Sequence, residues 1–256
     1  MWLEVDNRRV FAATGRRVFN PHQPVTVLVH GAGGDHSVWD IQAEGLAVAG
    51  RAVLAFDLPG HGQSEGPALA TIDAMADWLI LALAAAGAKD ACFAGHSMGA
   101  LVVMAAAARH PWRVTTIALL GAAAAMPVHE GLLKAAADDL ATASAMISAW
   151  AFATEPPPAA ALIENNCALL ARSAPGVLHA DLAACNTFTD GARKATAIGC
   201  PTTVVIGNQD RMCPSKASLA LTQVIPGAKS VMLEKCGHMM MAEYPDQILD
   251  VLIRAC

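Results

Sequence analysis

Short, nearly uninterrupted apolar runs alternate along this chain with longer stretches of helical period. Residues 26–29, 52–56, 91–94, 116–120, 203–206 and 230–233 form such runs, each bounded by Gly, Pro or Asp. Runs without polar alternation are expected of parallel strands that helices cover on both faces. Between them, residues 72–86 behind a Thr71 N-cap, 101–109 stopped by Pro111, and 247–254 near the end read as helices. Residues 3–5 and 9–13 flank an Asp6-Asn7 turn and predict a hairpin on the sheet edge. The alternation predicts an α/β fold: a doubly wound, mostly parallel sheet flanked by helices. Loops at the carboxyl ends of its strands should form the site.

Residues 122–197 break this rhythm, because no convincing strand falls among them. Helical patterns cover 132–152 and 162–173, and Pro156-Pro157-Pro158 separates the two. The expected organisation is a core made of residues 1–121 and 198–256, with residues 122–197 as a helical lid insert over the crevice. Met126, Met146, Trp150 and Phe152 are the candidates to line its underside.

Composition narrows the function classes. Of the 256 residues, 55% are hydrophobic and 15% charged, with a mean hydropathy of +0.41, too apolar for a disordered chain. No run reaches the ~20 apolar residues of a membrane span, and the N-terminus lacks the charged-then-apolar order of a secretory signal. A net charge of -5 argues against a surface that tracks nucleic-acid phosphates. The seven cysteines are scattered, form no Cys-x-x-Cys pair and read as ordinary reduced thiols. The expectation is a cytoplasmic protein with a small-molecule partner; the sequence assigns no oligomeric state.

The sharpest chemical signal is Gly95-His96-Ser97-Met98-Gly99, which directly follows one predicted strand and precedes a helix. A strand–turn–helix of this kind forces its serine into a strained backbone, and only small flanking residues avoid a clash. A serine hydroxyl is a weak nucleophile until a base takes its proton. His238 follows the last predicted strand and Asp210 the one before it, so the chain order is Ser97, Asp210, His238. That order is the one expected for a nucleophile, its acid and its base on a doubly wound sheet.

Acyl transfer also needs two N–H donors for the oxyanion, each worth ~3–4 kcal/mol. One is expected from Met98, the other from Ala32 in the loop His30-Gly31-Ala32-Gly33-Gly34. The same loop does not fit a phosphate cradle, lacking both Gly-Lys-Ser/Thr and G-x-G-x-x-G. Gly31, Trp39, Met126, Trp150, Phe152 and Met239 are the candidate substrate-binding residues. No ligand spacing points to a metal, although His30, His36, His61 and His96 crowd this end of the sheet. Cys213 and Cys236 flank the acid and base and are candidates to pair on oxidation.

These residues resemble the α/β-hydrolase superfamily. The similarity runs through the loop at 30–34 to Trp39, Asp57-Leu58-Pro59-Gly60-His61-Gly62-Gln63-Ser64, the serine turn, residues 207–210 and Gly237-His238. The second block is similar to that of capped esterases, and parts resemble monoacylglycerol lipases. By this resemblance Ser97 is the nucleophile, His238 the base, Asp210 the acid, and Ala32 and Met98 the oxyanion donors. A serine at 97 departs from haloalkane dehalogenases and epoxide hydrolases, which use a carboxylate there. Ala32 departs from the bulky aromatic of cofactor-free haloperoxidases.

The resulting expectation is a serine hydrolase that cleaves a carboxylic ester or thioester, without metal or organic cofactor. Because the base must be neutral to accept a proton, activity should rise through roughly pH 6.5–7.5. Two alternatives share the fold. One is a lyase or C–C bond hydrolase that recruits an extra polar or cationic insert residue, with Lys134, Arg172, Arg193 and Lys194 on offer. The other is a small-molecule receptor with slow hydrolysis.

Overall fold

The computed structural model describes residues 1–256. The chain opens with a hairpin of β1 (Trp2–Val5) and β2 (Arg8–Ala13). Asp6 and Asn7 turn it with φ of 49° and 59°, the positive pair that a tight two-residue hairpin turn requires. Then β3 (Val25–Val29), α1 (Asp40–Val48) and β4 (Ala52–Phe56) follow. The nearly all-buried runs behave as anticipated: β3, β4 and β5 (Ala91–His96) are buried at every position. Helix α2 (Ile72–Ala85) starts where Thr71 Oγ1 accepts the Ala74 N–H, and α3 (Met98–Arg109) leads into β6 (Val114–Leu120).

From β6 the chain makes helices only: α4 (Glu130–Asp138), α5 (Leu140–Trp150), α6 (Ala160–Ala171), α7 (Val177–Thr187) and α8 (Gly191–Thr196). It re-enters the sheet as β7 (Thr202–Gly207), then makes α9 (Ser215–Val224), β8 (Lys229–Leu233), α10 (Met240–Glu243) and α11 (Pro245–Ala255). The single helix expected over 132–152 is two. Asp139 leaves helical geometry, and its carboxylate takes both the Thr142 N–H and the Thr142 hydroxyl. An aspartate placed to cap a new helix start overrides a continuous apolar period.

The sheet order is β1-β2-β4-β3-β5-β6-β7-β8, antiparallel at β1-β2-β4 and parallel from β4 onward. Helices α2, α3 and α8 cover one face, and α1 and α11 the other. Phe188, Ala195 and Ile198 at the end of the helical stretch belong to the core beneath the sheet. A third cluster, Leu132, Ala136, Ala143, Ile147, Leu170, Leu178 and Leu182, lies among α4–α7. Seven buried residues are too few for an independent unit, so these helices depend on packing against the body, including Ala32.

The cysteine expectation is corrected here. Cys92 on β5 and Cys256 form a disulfide, leaving five thiols free. The partners are 164 residues apart, and they meet because α11 packs back along β6, where Thr116 Oγ1 donates to the Ala255 carbonyl. The thiol-based argument for a reducing compartment goes with it. No helix is long and apolar enough to cross a membrane.

Candidate active site

Three strand ends and one loop build the site. At the end of β5, Ser97 has φ 55° and ψ −119°, a backbone region that side chains rarely occupy. The pentapeptide's glycines follow from contact. A Cβ on Gly95 would stand 2.2 Å from the Gly99 carbonyl oxygen, and one on Gly99 2.3 Å from that of Val29. Met98 opens α3, so its N–H has no carbonyl one turn back. In the loop after β3, Gly33 N–H donates to Asp181 and Gly34 N–H to the Gly31 carbonyl, while no protein acceptor takes the Ala32 N–H.

Asp210 lies in the loop after β7 and His238 in the loop after β8. His238 Nδ1 is 2.7 Å from Asp210 Oδ2, and both side chains are almost wholly buried. Asp210 Oδ1 accepts the N–H groups of Met212 and Cys213. Burial by itself would raise this carboxyl, but His238 and the two N–H donors outweigh it and hold the group below the usual carboxylate range. With Nδ1–H committed to the carboxylate, His238 presents Nε2, which has no protein partner. Such an imidazole can take a proton from a hydroxyl beside it.

Space for this pair comes from Gly121, at the end of β6. A Cβ there would sit 3.0 Å from two ring atoms of His238 and 3.4 Å from Asp210 Oδ2. Behind the His238 imidazole, His96 Nε2–H donates to the His238 carbonyl at 2.9 Å. Burial, and then the charge of His238, push His96 down to about 3, so it acts as a neutral strut.

Ser97, His238, Gly31, Ala32, Met126, Trp150 and Met239 all line one cavity of about 240 Å³. Its walls are mostly apolar, with Leu132, Ile147 and Leu182 reaching in from the helices after β6. Two substrate-binding expectations are corrected. Trp39 is fully buried on the opposite face of the sheet, packed with Leu46 and Met241. Phe152 is buried with its backbone against Gly237. Neither touches the cavity, because an apolar side chain near the site in sequence can equally well face the core. Met98 is also fully buried, and its side chain takes no part in the cavity wall.

Several lining residues escaped the sequence reading. Asn166 projects from α6 and donates to Ser148 Oγ. Its signal was a polar residue at helical spacing between Ile163 and Leu170. Arg211 stands at the mouth, next in sequence to Asp210. The crowded histidines do not converge as a metal site: His30, His61 and His96 bond backbone carbonyls, an N–H or Asp181. Asp35, His36 and Asp57 bring ligand atoms within 4.8 Å of one another, and Asp57 there accepts the His36 N–H and the Gln63 N–H and bonds the His36 ring.

A mostly parallel sheet with a strained serine at the end of β5 and a His–Asp pair on the loops after β7 and β8 defines a hydrolase-type fold and site. The chain belongs to the alpha/beta hydrolase family, which its residues 26–251 match. It is 30% identical over 235 residues to the proposed carbamate hydrolase RutD of Klebsiella pneumoniae (strain 342), covering 85% of each chain. It is 29% identical to the 2-hydroxymuconate semialdehyde hydrolase of Pseudomonas sp. (strain CF600), covering 85% of this chain and 81% of that one. Among solved structures, the enol-lactonase from Burkholderia xenovorans LB400 superposes with a TM-score of 0.88 at 24% identity, over 99% of this chain and 98% of the other.

Proposed function

We propose that the protein is a serine hydrolase that cleaves a carboxylic ester, or a thioester, through an acyl-enzyme intermediate. The observation that carries this reading is the buried Asp210–His238 pair: Nε2 of His238 has no protein partner, and His238 and Ser97 line the same cavity. His238 takes the Ser97 proton as Oγ attacks the carbonyl carbon, and the new negative charge rests on the Ala32 and Met98 N–H groups. His238 then gives the proton to the leaving oxygen or sulfur. Water enters, loses a proton to the same nitrogen and releases the acid. Residues 122–197 serve as the lid that shuts bulk water out of this sequence.

Substrate size and polarity follow from the cavity. Its 240 Å³ lies below the ~300–1,000 Å³ usual for drug-sized ligands, so short to medium acyl chains fit best. The C–C hydrolase alternative would find its extra polar or cationic group in Asn166 or Arg211, which line the cavity, and not in the charged insert residues read from the sequence. Lys134 pairs with Asp138, Arg172 with Asp35, and Arg193 and Lys194 with Asp190, and none lines the cavity.

A panel of p-nitrophenyl esters from acetate to decanoate, with a thioester and an aryl carbamate beside it, tests the reading. Saturable turnover of the short esters, lost in Ser97→Ala together with fluorophosphonate labelling, is expected. Labelling without turnover of any panel member would favour a receptor. Undiminished turnover in Ser97→Ala would end the proposal.

A further inference from the structure

A second histidine–aspartate pair lies buried beside the loop that carries Ala32. His61 follows β4, and Asp181 sits on α7; their side chains are 1% and 0% exposed. His61 Nε2 is 2.8 Å from Asp181 Oδ2, and that same oxygen accepts the Gly33 N–H at 2.8 Å. On its other side, His61 Nδ1 is 3.1 Å from the Pro59 carbonyl oxygen. The Pro59 carbonyl can only accept, so Nδ1 carries hydrogen, and with Asp181 a carboxylate Nε2 carries one as well. That ring is an imidazolium, balanced by a carboxylate whose Oδ1 has no partner at all.

The neighbours agree with this charge state. The His30 ring lies 4.8 Å from that of His61 at a tilt of 49°, and its Nε2 accepts the Leu58 N–H, so its Nδ1–H goes to the Gly31 carbonyl. Burial, followed by the charge of His61, pushes His30 down to about 4 and keeps it neutral. Burial and then Asp181 raise the Cys185 thiol, so it adds no charge. Asp57 faces the pair from the loop after β4, but its oxygens are spent on His36 and Gln63. Burial alone would lower His61, yet the Asp181 charge and hydrogen bond and the Pro59 carbonyl leave it raised above the ordinary histidine value.

Gly33 is gripped from both sides by the helices after β6. Its N–H goes to Asp181, its carbonyl takes the Ser173 hydroxyl at 2.7 Å, and a Cβ on it would meet Leu178 at 2.8 Å. Gly33 is the residue after Ala32.

We propose that Asp181 and His61 are positioning residues: their buried ion pair fixes the Gly33 amide, and so aims the neighbouring Ala32 N–H at the oxyanion. The consequence is that the transition-state donor is in register only while α7 is seated against the body. This rests on the acyl-transfer reading above. Ser97→Ala tests that reading separately, since it must abolish turnover whatever Asp181 does.

The experiment is a full kcat and KM profile from pH 5 to 10 on p-nitrophenyl butyrate for wild type, Asp181→Asn, Asp181→Ala and His61→Gln. Thermal unfolding of each variant gives the folded fraction. Removing an oxyanion donor costs 10²–10³ in kcat; misaiming one should cost about 10- to 100-fold in Asp181→Ala, with KM within about threefold. Asp181→Asn keeps an acceptor for Gly33 and should recover part of kcat. It removes the charge that holds the His61 proton, so the alkaline fall in kcat should move to lower pH, and His61→Gln should abolish that limb. Wild-type kcat and pH profile in Asp181→Ala would overturn the proposal. So would a loss of activity that merely tracks the folded fraction, with an unshifted alkaline limb in Asp181→Asn.

Discussion

The Ala151 carbonyl accepts two N–H groups from the loop after β8, that of His238 at 2.8 Å and that of Met239 at 3.0 Å. Ala151 closes α5, so the helical segment docks its end directly on the imidazole's own backbone. The strap that follows continues the contact. Glu243 accepts the N–H groups of both Ala153 and Gly237, while Gln209, beside Asp210, accepts from Thr154 and Glu155.

Glu243→Ala therefore removes one acceptor shared by the strap and the base loop. Two N–H groups are left without a partner, and leaving such groups unpaired costs about 1–3 kcal/mol each when buried. Chemical denaturation should show a loss of about 2–6 kcal/mol for the two together, and kcat should fall more than KM rises. Glu243→Gln should recover part of both.

Gly121→Ala should harm catalysis without touching substrate. Gly121 holds φ at 60°, and an added methyl would press on His238 at 3.0 Å. Displacing a base by about 1 Å can cost about 100-fold in rate. We expect kcat to drop about 10- to 100-fold in steady-state assays, with fluorophosphonate labelling slowed in parallel. An unchanged kcat would show that the ring has room to spare.

Asp210→Asn preserves shape and removes the charge that fixes the His238 tautomer. The same change in a Ser-His-Asp protease lowers kcat about 10⁴-fold, and a loss of that order is expected here. Because the folded carboxyl titrates below its unfolded value, its stabilising contribution is complete above about pH 3.9 and disappears as pH falls through the folded pKa. Thermal melts from pH 2 to 7 should show that acid limb in the wild type and a weaker one in the variant.

Ser97→Gly should trade activity for stability. Ser97 adopts φ 55°, which glycine reaches freely and other residues at a cost of about 1–3 kcal/mol. Relief of about 1 kcal/mol corresponds to a Tm about 2–4 °C higher for a domain of this size. Ser97→Ala keeps a Cβ and should show no such gain. Equal melting of the two variants would place the strain elsewhere.

The disulfide gives a chemical count. Native protein should titrate at most five thiols before reduction and seven after reduction and unfolding. Cys256→Ser should lower stability by about 2–4 kcal/mol, a typical worth for a native bridge. Activity at 25 °C should persist, since neither cysteine lines the cavity. Cys213 and Cys236 stay free, their thiols raised by burial, Cys213 to about 12. Low thiolate content should make them slow to react with iodoacetamide.

Much of the architecture was legible because its rules are local. An unbroken apolar run such as 52–56 can satisfy its surroundings only as a strand covered on both faces, and Thr71 announces a helix three residues ahead. Helices α1, α7 and α9 went unread because their apolar positions are diluted by alanine or polar residues, which leaves little period to detect. Asp139 was readable in principle, as an acidic residue at the seam of two helical turns.

The sequence by itself determined which residues are candidates for chemistry: Ser97 between glycines after a strand, then Asp210, then His238, each at a strand end. That information is local, since strained turns and strand ends are written in a few adjacent residues. Only the tertiary structure decided that Trp39 and Phe152 turn away from the cavity and that Cys92 finds Cys256. It likewise decided that Asp181 meets His61 across 120 residues and Gly33 across 148. Those pairings depend on where whole elements come to rest against one another. No short-range pattern encodes a meeting that burial and packing arrange only after the chain has closed on itself.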